Sequence, residues 1–72
     1  MSQDRVLIFG KDSCPYTTAA REDYAARGVP FEYLDVKQDH AAMTRMLDYS
    51  KGARQVPVIV EGSRVTVGFG GS

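Results

Sequence analysis

The sequence is poor in cysteine and lacks tryptophan. Its 72 residues include one cysteine, Cys14, and no tryptophan. A lone cysteine excludes an internal disulfide, and it also excludes zinc and iron–sulfur sites built from several cysteines of one chain. Because small exported domains usually carry paired cysteines, the single thiol favours a reducing compartment, and we expect a cytoplasmic protein.

The sequence also has no excess of positive or negative charge and no long apolar run. Nine Lys and Arg balance nine Asp and Glu. Phosphate binding depends on clustered Lys and Arg, and here the two signs are interspersed, so we expect no nucleic-acid partner. The apolar run at residues 6–9 is far shorter than the about 18 residues of a membrane span, so we expect no membrane partner either.

The composition is that of an ordinary globular protein, with 43% apolar and 25% charged residues. A chain of this size buries only about 60% of its unfolded surface on folding, so few residues must form its core. No internal repeat, low-complexity segment or linker divides it. We therefore expect a single domain over residues 1–72.

The first half of the sequence predicts a strand, a helix and a second strand. Residues 5–9 form an apolar, β-rich run that Gly10 closes, which is typical of a strand covered on both faces. A helix is predicted to begin at Pro15, because proline suits the first helical position, and to continue to Arg27. Gly28 is a suitable residue to follow its end. Residues 31–36 predict the second strand.

The second half predicts a helix followed by a hairpin. Asp39 can cap a helix in which methionines and a leucine recur at helical spacing, and Gly52 ends it. We interpret that apolar stripe as core packing. Residues 56–60 contain an apolar strand with Pro57 near its start, residues 61–63 form a turn, and residues 64–67 form the last strand.

The predicted order is strand, helix, strand, helix, strand, strand. A strand–helix–strand crossover joins two parallel neighbours, whereas a short turn joins antiparallel ones. The sequence therefore predicts an α/β fold with a four-stranded mixed sheet and helices that cover it.

Cys14 lies where the first predicted strand leads into the first helix. Unpaired backbone N–H groups and the helix dipole favour an anion at such a position. A thiolate is an anion, so its pKa should fall and its reactivity at neutral pH should rise. Lys11 can add a positive charge, whereas Asp12 opposes it, and the sequence does not decide which charge lies closer. We expect an accessible, reactive thiol rather than a buried, inert one.

The motif Cys14-Pro15-Tyr16-Thr17 resembles that of glutaredoxins, which have the thioredoxin fold. The resemblance extends to Lys11, to Gly28-Val29 after the first helix, to residues 55–59 and to the glycine-rich end. It implies a thioredoxin-like fold in which Cys14 is the catalytic nucleophile and Thr17 stands in place of the second cysteine. The third helix that follows the double glycine in most glutaredoxins is expected to be missing, because the sequence stops at Ser72.

The same resemblance implies a cis peptide bond between Val56 and Pro57 and a binding site for glutathione. The residues that it assigns to glutathione are Lys11, Tyr16, Thr17, Gln55, Val56, Pro57, Gly70 and Gly71. Val56 would pair its backbone with the cysteinyl part of the tripeptide, as an added strand does. Solvated surface charge is the alternative for Lys11, and a flexible chain end is the alternative for Gly70 and Gly71.

Thr17 limits the chemistry, because its hydroxyl cannot attack sulfur and release a mixed disulfide. Cys14 by itself can still exchange glutathione, so the expected activity is that of a glutathione-dependent thiol–disulfide oxidoreductase acting by a monothiol mechanism. Glutathione is then the cosubstrate, glutathionylated proteins are the partners, and we expect a monomer without a metal. The Thr17 hydroxyl either hydrogen-bonds the Cys14 sulfur or lies on the helix surface.

Two other functions stay open. Two chains could each donate Cys14 to an iron–sulfur cluster completed by two glutathiones, which would make the protein a non-catalytic carrier. Glutaredoxins of that kind usually have glycine where Pro15 stands, so this function ranks second. A partner-binding module without efficient exchange is the third. His40 is expected to be exposed in the first turn of the second helix, without a metal.

Overall fold

The computed structural model describes residues 5–70, in which six elements follow one another in the predicted order. The strands are β1 (Val6–Gly10), β2 (Phe31–Asp35), β3 (Val58–Glu61) and β4 (Arg64–Val67), and the helices are α1 (Pro15–Ala26) and α2 (His40–Ser50). The type of every element is as predicted. The largest difference is at β3, which starts at Val58 because Val56 and Pro57 belong to the loop that leads into it.

The four strands form one mixed sheet in the order β2-β1-β3-β4. β1 and β2 are parallel, and Ile8 pairs with Tyr33 in their register. β3 is antiparallel both to β1 and to β4, so the hairpin predicted around Gly62 is confirmed. The sheet has the predicted thioredoxin-like arrangement, in which the central strand β1 leads directly to the loop that carries Cys14.

The helices cover opposite faces of the sheet, and each face has its own core. Val58, Val60 and Phe9 lie in the cluster that includes α2, whereas Ile8 and Ile59 lie in the cluster that includes α1. This division follows from strand geometry, because successive side chains point to opposite faces. Complete burial of one such side chain stabilises the fold by about 1.5–3 kcal/mol.

The helices end where the sequence predicted. Gly28 follows α1 with a φ of 71°, a left-handed conformation that favours glycine. Met46 of α2 is buried and packs in the core, as the apolar stripe indicated, and His40 is the exposed first residue of that helix. In the described part of the chain, neither helix has the length and apolarity that crossing a membrane requires.

Candidate active site

Cys14 is the N-cap residue of α1. Its backbone is extended, with φ −91° and ψ 116°, and Pro15 is the first helical residue. The Cys14 N–H donates to the Lys11 carbonyl over 3.1 Å, which folds the loop tightly before the helix. The Cys14 side chain makes no capping hydrogen bond to any described residue. The first backbone N–H groups of α1 have no partner within the helix, so they remain available to stabilise a negative charge.

The sulfur is more covered than the sequence indicated. Only 8% of Cys14 is exposed, although it belongs to neither of the two apolar clusters of the core. Its Sγ lies 4.0 Å from the carbonyl oxygen of Val56, to which the thiol donates. The expectation of an openly exposed thiol is therefore wrong, because the cap position turns the side chain towards the loop that precedes β3.

The surroundings of Cys14 favour its ionised form. Burial raises the pKa of the thiol, because a charge is less well solvated there. The Thr17 hydroxyl and the backbone N–H groups of Thr17 and Tyr16 are donors for the thiolate and lower this pKa, and the charge of Lys11 lowers it further. The lowering effects prevail, and the pKa of Cys14 lies below its ordinary value of 9.0. The site thus supports a thiolate.

Thr17 is completely buried, with 0% of the residue exposed. Its Oγ1 accepts a hydrogen bond from the Lys11 backbone N–H over 3.4 Å, so its hydroxyl hydrogen can point to the Cys14 sulfur. A Cβ at Gly10 would overlap the Thr17 side chain, so the close approach of α1 to β1 requires glycine there. Thr17 is therefore not on the helix surface, and its hydroxyl is one of the groups that lower the pKa of Cys14.

The loop before β3 lies beside the thiol. The peptide bond between Val56 and Pro57 is cis, as the family resemblance implied, and Pro57 is completely buried. The Pro57 carbonyl accepts a hydrogen bond from the Gly68 N–H over 2.7 Å, which fastens the loop to the end of β4. Within residues 5–70 the Val56 N–H has no hydrogen-bond partner. The backbone of Val56 therefore presents an edge next to Cys14 on which an extended ligand can pair.

The other residues predicted to bind glutathione differ in how far they are exposed to solvent. Tyr16 is 41% exposed, Lys11 is half-buried, and Gln55 is exposed. Gly70 is exposed and has a φ of 63°. Gly71 lies outside the described residues. The roles of these residues in binding stay predictions.

The sequence reasoning missed a cluster beside the loop. The Tyr33 hydroxyl donates to Asp12 Oδ1 over 2.8 Å, and an Arg21 guanidinium nitrogen lies 3.7 Å from the same oxygen. The guanidinium carbon of Arg21 lies 3.9 Å from the centre of the Tyr33 ring. These residues are far apart in the sequence, and only the pairing of β2 with β1 brings them together, so no local motif could reveal the cluster.

Metal ligands do not gather in the described part of the chain. Among residues 5–70, no group of three or more His, Cys, Asp or Glu side chains could hold a metal ion. Cys14 is the candidate site's sulfur, and it is unpaired.

Comparison with protein families agrees with this geometry. The family model named Glutaredoxin matches residues 6–65, which is most of the sequence and includes both the Cys14 motif and the Val56–Pro57 loop. The chain belongs to the glutaredoxin family and has the fold of a thiol oxidoreductase. Among curated proteins, none matches it significantly.

Solved structures with the same fold include both glutaredoxins and thioredoxin-like proteins. A glutaredoxin from Archaeoglobus fulgidus is 25% identical, with a TM-score of 0.82 over 94% of this chain and 78% of its own. The thioredoxin-like protein BC3987 is 29% identical, with a TM-score of 0.81 over 90% of this chain and 88% of its own. The glutaredoxin-like NrdH-redoxin from Escherichia coli is also 29% identical, with a TM-score of 0.78 over 90% of this chain and 83% of its own. The structure of that last protein was described as the basis of a thioredoxin-like activity profile.

Proposed function

We propose that this protein is a glutathione-dependent thiol–disulfide oxidoreductase that removes glutathione from protein mixed disulfides through Cys14. The observation that carries the proposal is the environment of the sulfur. The Thr17 hydroxyl, the first amides of α1 and the charge of Lys11 together lower the pKa of Cys14 in spite of burial. A thiolate is the form of cysteine that attacks disulfides.

In the first step the Cys14 thiolate attacks the glutathione sulfur of a protein–glutathione disulfide. A bond forms between Cys14 Sγ and that sulfur, and the bond between glutathione and the protein breaks. The protein leaves as a thiolate and takes a proton from solvent. The lowered pKa of Cys14 increases the fraction of the attacking anion.

In the second step the thiolate of another glutathione attacks the glutathione sulfur held on Cys14. Oxidised glutathione leaves, and Cys14 returns to its thiolate. The net reaction converts one protein–glutathione disulfide and one free glutathione thiol into a protein thiol and oxidised glutathione. Thr17 occupies the position from which a second cysteine would attack, so the release of bound glutathione depends on a second glutathione molecule.

The surroundings of the sulfur supply contacts for the tripeptide. The Val56 N–H, which has no partner among residues 5–70, and the Val56 carbonyl near Cys14 Sγ would bind the backbone of the cysteinyl residue. Lys11 and Gln55 would face the glycyl carboxylate, and Tyr16 would flank the ligand. Gly70 and Gly71 would offer backbone N–H groups to the γ-glutamyl carboxylate.

The test measures both the adduct and turnover. Intact mass after exposure to oxidised glutathione should show one glutathione on the wild-type chain and none on Cys14→Ala. With glutathione as the only reductant, the wild-type chain should release glutathione from a glutathionylated peptide, whereas Cys14→Ala should not. Absence of turnover, with Cys14 still reactive towards iodoacetamide, would overturn the proposal. So would a coloured, glutathione-dependent dimer after anaerobic reconstitution with iron and sulfide that has no exchange activity.

A further inference from the structure

The loop before Cys14 carries two opposite charges close to the thiol. Lys11 is three residues before the cysteine and Asp12 is two residues before it. A carboxylate near a thiol disfavours the thiolate, and a Lys ammonium favours it. The position of the Asp12 side chain therefore bears directly on how reactive Cys14 can be.

Two side chains from two different elements hold the Asp12 carboxylate. Tyr33 of β2 donates its hydroxyl hydrogen to Oδ1 over 2.8 Å, and Arg21 of α1 approaches the same oxygen to 3.7 Å. Arg21 also stacks on the Tyr33 ring, with 3.9 Å between the guanidinium carbon and the ring centre. The three groups thus fix one another, although Asp12 itself is exposed.

The sheet order places this cluster and the sulfur on opposite sides of β1. Tyr33 belongs to β2, which pairs with one edge of β1. Cys14 Sγ faces Val56, in the loop before β3, and β3 pairs with the other edge of β1. The Asp12 carboxylate is therefore held towards the β2 side while the thiol points towards the β3 side.

We propose that Tyr33 and Arg21 are positioning residues that hold the Asp12 carboxylate on the β2 side of β1, so that its negative charge does not act against the Cys14 thiolate. This inference rests on the proposed function in one respect, namely that Cys14 reacts as a thiolate. It adds a role for three residues that do not touch the sulfur.

The electrostatics of the cluster agree with that role. The charge of Lys11 lowers the pKa of Cys14. Burial raises the pKa of Tyr33, and its hydrogen bond to Asp12 raises it further, so the phenol keeps its proton at neutral pH and stays a donor. Two other charged residues line the same surface cavity as Asp12. They are Asp35, at the end of β2, and Lys37, in the turn after it.

The test is a comparison of thiolate fractions in four variants, read from the ultraviolet absorbance of the thiolate against pH. Tyr33→Phe should release the carboxylate and reduce the thiolate fraction at neutral pH by about threefold. Asp12→Asn keeps a hydrogen-bond acceptor for Tyr33 and should change little. The double variant Tyr33→Phe with Asp12→Asn should return to the wild-type fraction, because no charge is left to move.

Tyr24→Phe is the matched control, because the Tyr24 hydroxyl also donates to a carboxylate, that of Glu61, over 3.3 Å. It should leave the thiolate fraction unchanged. The proposal is overturned if Tyr33→Phe has no effect, or if the double variant stays as low as Tyr33→Phe, which would indicate a loosened loop and not a displaced charge. The titration contains no glutathione, so a chain that shows this coupling but does not turn over would contradict only the proposed function.

Discussion

The two helices of this small fold start in the same way but use their first amides differently. Both N-cap residues have extended backbones, Cys14 with φ −91° and ψ 116°, and Asp39 with φ −127° and ψ 108°. The Asp39 carboxylate accepts hydrogen bonds from the Ala41 and Ala42 N–H groups over 3.0 and 3.4 Å. Cys14 makes no such bond to a described residue.

The N-cap residue of α2 stabilises its helix, whereas the N-cap residue of α1 carries the candidate nucleophile. At α2 the aspartate satisfies the first amides, so this helix end gains stability and has nothing left to bind. At α1 the amides of Tyr16 and Thr17 act on a sulfur, where they stabilise a charge that the thiol carries only when ionised. A residue that does not cap its own helix thus lies among groups that favour its ionised form.

The largest expected effect is on turnover when the sulfur is replaced by an oxygen. Cys14→Ser should lose glutathione exchange by a factor of about 1,000 or more, because the hydroxyl does not ionise at neutral pH. Serine is also a good N-cap, so this variant should be about 1 kcal/mol more stable to unfolding than Cys14→Ala. Turnover assays and urea unfolding check the two parts. Turnover that persists in Cys14→Ser would show that the sulfur is not required. The start of α1 would then not differ in function from the start of α2.

The second effect concerns the hydroxyl of Thr17. Thr17→Val keeps the volume of this buried residue but removes its hydrogen bond to the sulfur, so the pKa of Cys14 should rise. Alkylation of Cys14 by iodoacetamide at neutral pH should then slow by about three- to tenfold, as expected for a hydrogen bond to a charged group. Thr17→Ser, which keeps the hydroxyl, is the control and should stay near the wild-type rate. Equal rates in all three proteins would exclude a role for the hydroxyl.

A smaller effect is expected at the other helix. Asp39→Ala removes the cap of α2 and should reduce the free energy of unfolding by about 1 kcal/mol. The alkylation rate of Cys14 should not change, because α2 lies on the opposite face of the sheet. Asp39→Asn keeps a capping oxygen and should recover most of the stability. A slower reaction of Cys14 in Asp39→Ala would contradict the view that the two helix starts act independently.

The smallest effect is the pH dependence of stability. Because folding lowers the pKa of Cys14, the folded chain binds fewer protons than the unfolded chain between the two pKa values, and stability rises with pH there. This contribution is fully present above the unfolded pKa near 9.0 and is lost as the pH falls through the folded pKa. Unfolding in urea at several pH values, with Cys14→Ser as the reference, measures it. A difference between the two proteins that does not depend on pH would contradict the lowered pKa.

Much of the fold could be predicted from local patterns. Asp39 as a cap, Gly28 after α1 and the apolar run of β3 depend on neighbours within one turn or one strand, and all three were confirmed. The start of β3 was placed too early, because the apolar run begins at Val56 while the ladder begins at Val58. An apolar pattern does not show where strand pairing begins.

The candidate site was only partly predictable. The sequence identified Cys14 and its place at a helix start, because the change from a β-rich run to Pro15 marks that position. It did not reveal that the thiol is 8% exposed, nor that Thr17 is buried against Gly10. The exposure of a side chain depends on residues far along the chain. For Cys14 one such residue is Val56, whose carbonyl oxygen lies 4.0 Å from the sulfur.

Local patterns along the chain establish the order of the elements and the place of the one thiol, and the 72 residues contain no second cysteine. The charges and hydrogen-bonding groups that surround the sulfur depend on how the strands pair in three dimensions. The pairing of β2 with β1 sets where Asp12 is held, and the pairing of β3 with β1 sets what faces Cys14. The physical reason is that electrostatic effects depend on distance in space, which is independent of distance along the chain.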